Sequence, residues 1–187
     1  MKKESQNARK NKIFIYIMLF FSLALIGWIF EVLNELRKGH GFINRGVLHG
    51  PWLPIYGFGG IIIYVLLKGF NKQPLIVFSY SFLLSALIEY ITSFCLEFIN
   101  GMVWWDYSKK PLNLNGRICF SYTLVFSLLA YLMYYFIIPK IIIVLEKINY
   151  KILSSICIIL LCLFILDNIY SIKNPNIVRG THIVRKN

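Results

Sequence analysis

The chain has 187 residues, of which 58% are hydrophobic and 15% charged, whereas a soluble domain is about half apolar and about one quarter charged. A soluble fold of this length could not cover so much apolar surface, so the composition excludes an ordinary soluble domain. The formal net charge of +12 resides mostly in the tails and short connections, which favours anionic lipid headgroups over nucleic acid as the partner.

The first predicted elements are a basic tail, residues 1–12, and an apolar run that follows it. The tail carries five basic residues like the start of a signal peptide, but no A-x-A-like cleavage site follows. Residues 13–30 contain no charge, and about 20 apolar residues cross a bilayer core. We predict an uncleaved first span over residues 13–33.

A Gly/Pro-rich polar stretch, residues 39–60, follows the first span. Its seven glycines and two prolines argue against a regular helix in its first half. Its second half merges into a second apolar helix over residues 53–67, whose first turn suits Pro51 and Pro54. Two interpretations stay open for this segment: a full crossing, or a re-entrant segment.

Three more spans follow, and the complete pattern predicts an all-α bundle of about five transmembrane helices. A second polar loop, residues 100–117, carries Trp104, Trp105 and Tyr107 as an interfacial aromatic cluster. The segment after Pro139, which ends the fourth span, either lies at the interface or extends that span. We predict spans over residues 74–99, 118–138 and 152–166, a transmembrane domain over residues 13–170, and a mobile polar tail over residues 171–187.

The counts of lysine and arginine do not decide the orientation. A cytoplasmic N-terminus would place ten of these residues on each side. The dense basic tail favours a cytoplasmic N-terminus, because the first helix usually dominates topology. If the second span crosses, the polar loops after spans one and three lie on the same side.

Glu89 is the main candidate for chemistry, since it lies well inside the third span. A charge near the bilayer centre costs roughly 2.5–3.5 kcal/mol, so Glu89 should face the protein interior, have a partner or be protonated. Polar residues recur every four positions along this helix and either line a cavity or pack against a neighbouring helix. These residues are Ser81, Ser85, Glu89, Ser93 and Glu97.

Two arginines in the polar loops are the candidate partners of the acidic residues. Arg45 and Arg117 each lie beside glycine and near asparagine, and Glu31 ends the first span. Because arginine makes bidentate contacts with carboxylates, we predict a cluster of these three residues with Glu89. The alternative is a pair of solvated arginines. Asp106, after the two tryptophans, completes the set of candidates.

Common catalytic and metal-binding motifs are absent from the sequence. It contains no P-loop, no G-x-S-x-G and no H-E-x-x-H motif. The four cysteines form no C-x-x-C pair, and His49 is expected to make a loop hydrogen bond. We therefore expect no metal and no cofactor.

Four stretches resemble the small bacterial membrane proteins known as type IV ABC-transporter permeases: LIGWIFEVLNEL, FINRGVLHGPWLPIYGFGG, ALIEYITSFCLE and WWDYSKKPLNLNGRICF. The likeness covers roughly residues 14–145. Where the family has tyrosine and cysteine, this chain has His49-Gly50-Pro51-Trp52-Leu53, which argues against a catalytic cysteine. The resemblance implies a transport component of the bacterial cell membrane, a separate ATPase subunit, and a dimer or partner chain.

Two other functions use the same residues. A membrane-embedded enzyme or lipid-headgroup binder could act through acidic residues and arginines without any of the missing motifs. A structural or regulatory subunit would use its polar groups only to hold helices together. Transport is the leading interpretation.

Overall fold

The computed structural model describes residues 2–177 and 182–183, with side chains from residue 11 to residue 177. It confirms the prediction of an all-α membrane protein, because four helical segments are long and apolar enough to cross a bilayer. The helices are α1 (Lys2–Arg37), α2 (Pro54–Leu67), α3 (Pro74–Asn100), α4 (Phe120–Leu132), α5 (Ile138–Glu146) and α6 (Tyr150–Lys173).

Helix α2 is too short to cross a bilayer alone. Its 14 residues extend about 21 Å, against a hydrocarbon core of about 30 Å. The helix also starts beside the middle of α1, where the Leu53 amide donates to the Ala24 carbonyl at 3.1 Å. The preceding loop, residues 38–53 (the first loop), therefore returns about 20 Å along α1 before α2 begins.

The far end of α2 meets the start of α3. Ile63 and Leu67 pack with Val77 and Tyr134 in one buried cluster, and the Tyr134 hydroxyl donates to the Leu67 carbonyl at 2.8 Å. The chain thus reaches the opposite end of the bundle, as the crossing interpretation predicts. The first part of that path is loop, as the re-entrant interpretation predicts.

Glycines allow α1 and α2 to pack closely. A Cβ on Gly57 would lie 2.5 Å from Cδ2 and 2.9 Å from the backbone oxygen of Phe20. Gly27 lies against the ring of Tyr56 in the same way, and small residues at such contacts let helices approach closely.

Replacing Gly57 with alanine is expected to lower the free energy of unfolding by about 1–3 kcal/mol, because the backbone oxygen of Phe20 must move. Gly59→Ala is the matched control in the same helix, since its Cβ would meet Ile88 Cδ1 at an ordinary 3.7 Å. Thermal unfolding in detergent micelles measures both. Equal effects of the two substitutions would contradict the packing argument.

The prediction that Pro139 ends the fourth span is wrong. Helix continues from Phe120 to Glu146, with a π-helical turn over Met133–Ile137. Pro139 lies in the first turn of α5. Proline cannot donate a backbone hydrogen bond, and its ring crowds the preceding turn of a helix. The π-helical turn before it accommodates both effects. The alternative that this segment extends the span is the correct one.

The second loop, residues 101–119, and the C-terminal segment add short strands that the sequence did not predict. The antiparallel pairs join Met102–Val103 to His182–Ile183 and Asn113–Leu114 to Ile118–Cys119. Asn176 links the two loops, since its amide donates to the Val47 carbonyl and its carbonyl accepts from Trp104 Nε1. Both loops therefore lie at one end of the bundle, as predicted. The predicted mobile tail falls partly on residues 178–181 and 184–187, which are outside the described residues.

Candidate functional site

A polar cluster lies where the first loop, the second loop and three helices meet. It comprises Glu31 of α1, Tyr56 of α2, Glu89 of α3 and Tyr107 of the second loop. The Tyr56 hydroxyl donates to Glu31 Oε1 at 2.7 Å, and the hydroxyl of Tyr107 lies next to the Glu89 carboxyl. We call these four residues the carboxyl–tyrosine cluster.

Glu89 is the most enclosed acidic group of this cluster. The residue is 4% exposed, and its Oε2 atom is buried without a hydrogen-bond partner. The predicted polar face of α3 does point inward, because Ser81 and Ser93 are also buried. Ser85, one turn before Glu89, is half-buried. The face therefore belongs to the protein interior rather than to the lipid surface.

Tyr107 is positioned by the fold of the second loop. Its amide donates to the Gly116 carbonyl at 2.7 Å, and its ring stacks on Tyr122 with centroids 4.7 Å apart. Gly116 has a φ of +67°, which favours glycine at this turn. Burial, followed by the nearby acidic side chains of Glu89 and Glu31, raises the pKa of Tyr107. The phenol therefore remains a hydrogen-bond donor.

Arg45 approaches the cluster from the first loop. Its Nε atom lies 3.8 Å from Glu31 Oε2, so one of the arginine–glutamate contacts suggested by the sequence is present. The loop is held beside α1 by Asn44, whose Oδ1 accepts from Trp28 Nε1 at 2.6 Å. Both charged side chains are less than one-fifth exposed, which strengthens their interaction relative to a surface pair.

Arg117 contacts residues of α3 that lie one to two turns beyond Glu89. It forms an ion pair with Glu97 and donates to Ser93 Oγ at 3.2 Å. Its guanidinium also lies over the rings of Tyr90 and Phe94, at 5.8 and 5.5 Å from their centroids. Arg117 thus pairs with Glu97 and not with Glu89, because the local spacing on α3 presents Glu97 nearer to the loop.

Asp106 lies outside the carboxyl–tyrosine cluster. It is exposed and accepts hydrogen bonds from the amide and the hydroxyl of Ser108 at 2.8 and 3.0 Å. This is an Asx-type turn that shapes the second loop. Within the described residues, no group of three or more His, Cys, Asp and Glu side chains could hold a metal ion.

Asp167 of α6 fixes the first loop, a role that the sequence did not indicate. Its carboxylate accepts from the amides of His49 and Gly50 at 3.1 and 2.9 Å and from Trp52 Nε1 at 2.7 Å. Ser171 adds a fourth hydrogen bond at 3.1 Å and also contacts His49 Nδ1. The prediction of a loop hydrogen bond for His49 is confirmed.

Sequence reasoning missed the two tyrosines of the cluster. Tyr107 was expected at the interface with Trp104 and Trp105, but Trp104 is 4% exposed and Tyr107 reaches Glu89. Tyr56 follows Pro54 in the first turn of α2 and gives no polar periodicity of its own. A tyrosine beside a polar loop is equally typical of an interfacial anchor, so only the folded chain separates the two roles.

A family model described as "Putative ABC-transporter type IV" matches residues 18–172. The chain belongs to this family. Together with the four long apolar helices, membership supports a multi-pass membrane protein. All the residues of the carboxyl–tyrosine cluster, with Arg45 and Arg117, lie within the matched range. No curated protein and no solved structure matches the chain.

Proposed function

We propose that this ABC-transporter type IV protein is the membrane-embedded component of a transporter in the bacterial cell membrane. Its substrate path would pass the carboxyl–tyrosine cluster, with Arg45 and Arg117 flanking it. The supporting observation is the burial of Glu89, 4% exposed, inside an apolar helix. An ionisable residue within a membrane span is costly and commonly marks a substrate or ion path.

The interrupted second element supports the same proposal. Non-helical backbone at membrane depth is tolerated where it is buried in protein or lines a cavity, and transporter sites are often built from discontinuous helices. Here the first loop inserts as far as Ala24 before α2 begins. This loop carries Arg45, so its displacement would separate Arg45 from Glu31 and open the cluster. We propose it as the moving part.

A separate ATPase subunit would drive the transporter, because the sequence carries no P-loop motif. We propose a cytoplasmic N-terminus, which would leave the opposite end of the bundle, with both loops, outside. We also propose a dimer or a partner chain, since four long apolar helices and the shorter α2 form a small permease. Crosslinking and mass determination of the purified membrane complex would measure its composition.

Replacing Glu89 with glutamine is expected to reduce substrate uptake at least tenfold, because it removes the ionisable group while keeping the side-chain volume. The assay uses the complex purified with its partners and reconstituted in vesicles, with ATP hydrolysis measured in parallel. Glu146→Gln is the control, since it makes the same chemical change at an exposed position. Uptake should be unchanged in that variant.

Three outcomes would overturn the proposal or part of it. Normal uptake by Glu89→Gln at normal protein level contradicts the assignment of the path. Turnover of a lipid or other substrate by the lone chain identifies an enzyme that uses the same acidic residues and arginines. A stable complex with neither uptake nor turnover identifies a structural or regulatory subunit.

A further inference from the structure

Glu89 has an arrangement of neighbours that suits a neutral carboxyl group. One side of its carboxyl is in contact with the Tyr107 hydroxyl, while Oε2 is buried without a partner. A buried carboxylate normally has each oxygen matched by donors or by a cation. A carboxylic acid leaves one oxygen with its own hydrogen and the other as an acceptor.

The groups that face Glu89 from α1, α2 and the second loop are acidic or neutral. Glu31 from α1, Tyr56 from α2 and Tyr107 from the second loop contribute one carboxyl and two hydroxyls. Arg45 of the first loop lies 3.8 Å from Glu31 Oε2. An ionised Glu89 would therefore be a second negative charge beside Glu31, which pairs with Arg45.

The remaining arginine of this region has its own acidic partner. Arg117, at the end of the second loop, pairs with Glu97 and donates to Ser93 Oγ. Tyr122 of α4 contributes a neutral ring that stacks on Tyr107. Like charges in a buried site favour protonation of one member.

We propose that Glu89 is a proton-binding site, occupied in this conformation. The proton resides on the carboxyl group of Glu89, Tyr107 donates to that carboxyl, and Arg45 pairs with Glu31. Release requires an acceptor: when the first loop moves and admits water to the cluster, the O–H bond of the acid breaks and water takes the proton. The carboxylate that remains can then hold a cation. Transport by this chain would thus exchange protons at Glu89.

Infrared spectroscopy of the full chain in lipid nanodiscs at neutral pH tests this site directly. The wild type should show the carbonyl band of a protonated carboxylic acid, and the band should disappear in Glu89→Gln. It should persist in the control Glu146→Gln, whose position is exposed. A spectrum of Glu89→Gln identical to that of the wild type, or a wild type without the band, would overturn the proposal.

A second variant keeps the test decisive even where Glu89→Gln fails to fold. Tyr107→Phe removes the hydroxyl in contact with Glu89 but leaves the carboxyl, so the band should shift in frequency. Tyr80→Phe, at a residue that is 50% exposed, should leave the band in place. An unshifted band in Tyr107→Phe contradicts the assignment. Because the isolated chain is measured, this result is independent of whether the assembled complex transports a substrate.

Discussion

Replacing Asp167 with alanine is expected to lower the free energy of unfolding by about 3 kcal/mol and to release the first loop from α6. The carboxylate accepts two backbone amides, an indole N–H and a hydroxyl at 2.7–3.1 Å. Hydrogen bonds to a charged group contribute about 1.5–3 kcal/mol each, and members of one network are lost together rather than additively.

The release should extend to the carboxyl–tyrosine cluster. The amides held by Asp167 belong to His49 and Gly50, only a few residues after Arg45. The loop is also tied to the C-terminal segment, because Asn176 Nδ2 donates to the carbonyls of Asn44 and Gly46 at 2.8 and 3.0 Å. With Asp167 removed, the first loop would keep these bonds and the bond from Trp28 Nε1 to Asn44 Oδ1, but it would lose its attachment to α6. We therefore expect transport to fall together with stability.

Hydrogen–deuterium exchange separates loop release from general unfolding. The amides of His49 and Gly50 should exchange faster in Asp167→Ala, while those of α3 should be unchanged. Asn168→Ala is the matched control on the same helix, since Asn168 donates only within α6, to the Phe164 carbonyl at 2.7 Å. Equal exchange of the loop amides in both variants would contradict the role of Asp167.

The helices could be predicted from the sequence because the lipid bilayer restricts which segments can cross it. A spanning segment must be apolar and must satisfy its own backbone, so the span predicted over residues 74–99 matches α3, Pro74–Asn100. The helix ends were less accessible. Helix α6 runs to Lys173 rather than 166, because the polar residues of its last turns contact the first loop, and hydropathy counts them as loop.

The candidate site was predictable in its charges and not in its partners. A glutamate within an apolar span is recognisable from the sequence as a candidate site residue, and Glu89 is indeed buried. Its neighbour Tyr107 lies in a loop that turns at Gly116, which has a positive φ. No periodicity in the sequence predicts that this turn brings Tyr107 next to Glu89. The pairing of Arg117 with Glu97 likewise depends on where the hairpin Asn113–Cys119 places the guanidinium.

The path of the first loop could not be predicted from the sequence either. Seven glycines and two prolines indicated an irregular segment, but both a crossing and a re-entrant segment fitted that composition. Tertiary contacts determine the path of the loop: the Leu53 amide donates to the Ala24 carbonyl, and Asp167 of α6 accepts a hydrogen bond from the Gly50 amide. These contacts join residues more than 25 positions apart, which local patterns do not report.

Arg45→Gln is expected to reduce uptake at least tenfold and to lower the free energy of unfolding by about 1–3 kcal/mol, because Glu31 would lose its nearby cation. The Nε atom of Arg45 lies 3.8 Å from Glu31 Oε2, and the Tyr56 hydroxyl donates to Glu31 Oε1 at 2.7 Å. The neighbouring Glu89 offers no compensating charge. Arg37→Gln, at an exposed residue of the last turn of α1, is the control.

The double variant Glu31→Gln/Arg45→Gln distinguishes charge pairing from a purely steric role of Arg45. Removal of one partner of a partly buried pair leaves an uncompensated charge, whereas removal of both restores neutrality. The double variant should therefore recover most of the stability lost in Arg45→Gln, with a coupling energy of about 0.5–3 kcal/mol. Uptake should stay low, because the proposed path needs the ionisable group of Glu31. Additive losses of stability would show that the two residues do not interact, and the first loop would then position Arg45 for another partner.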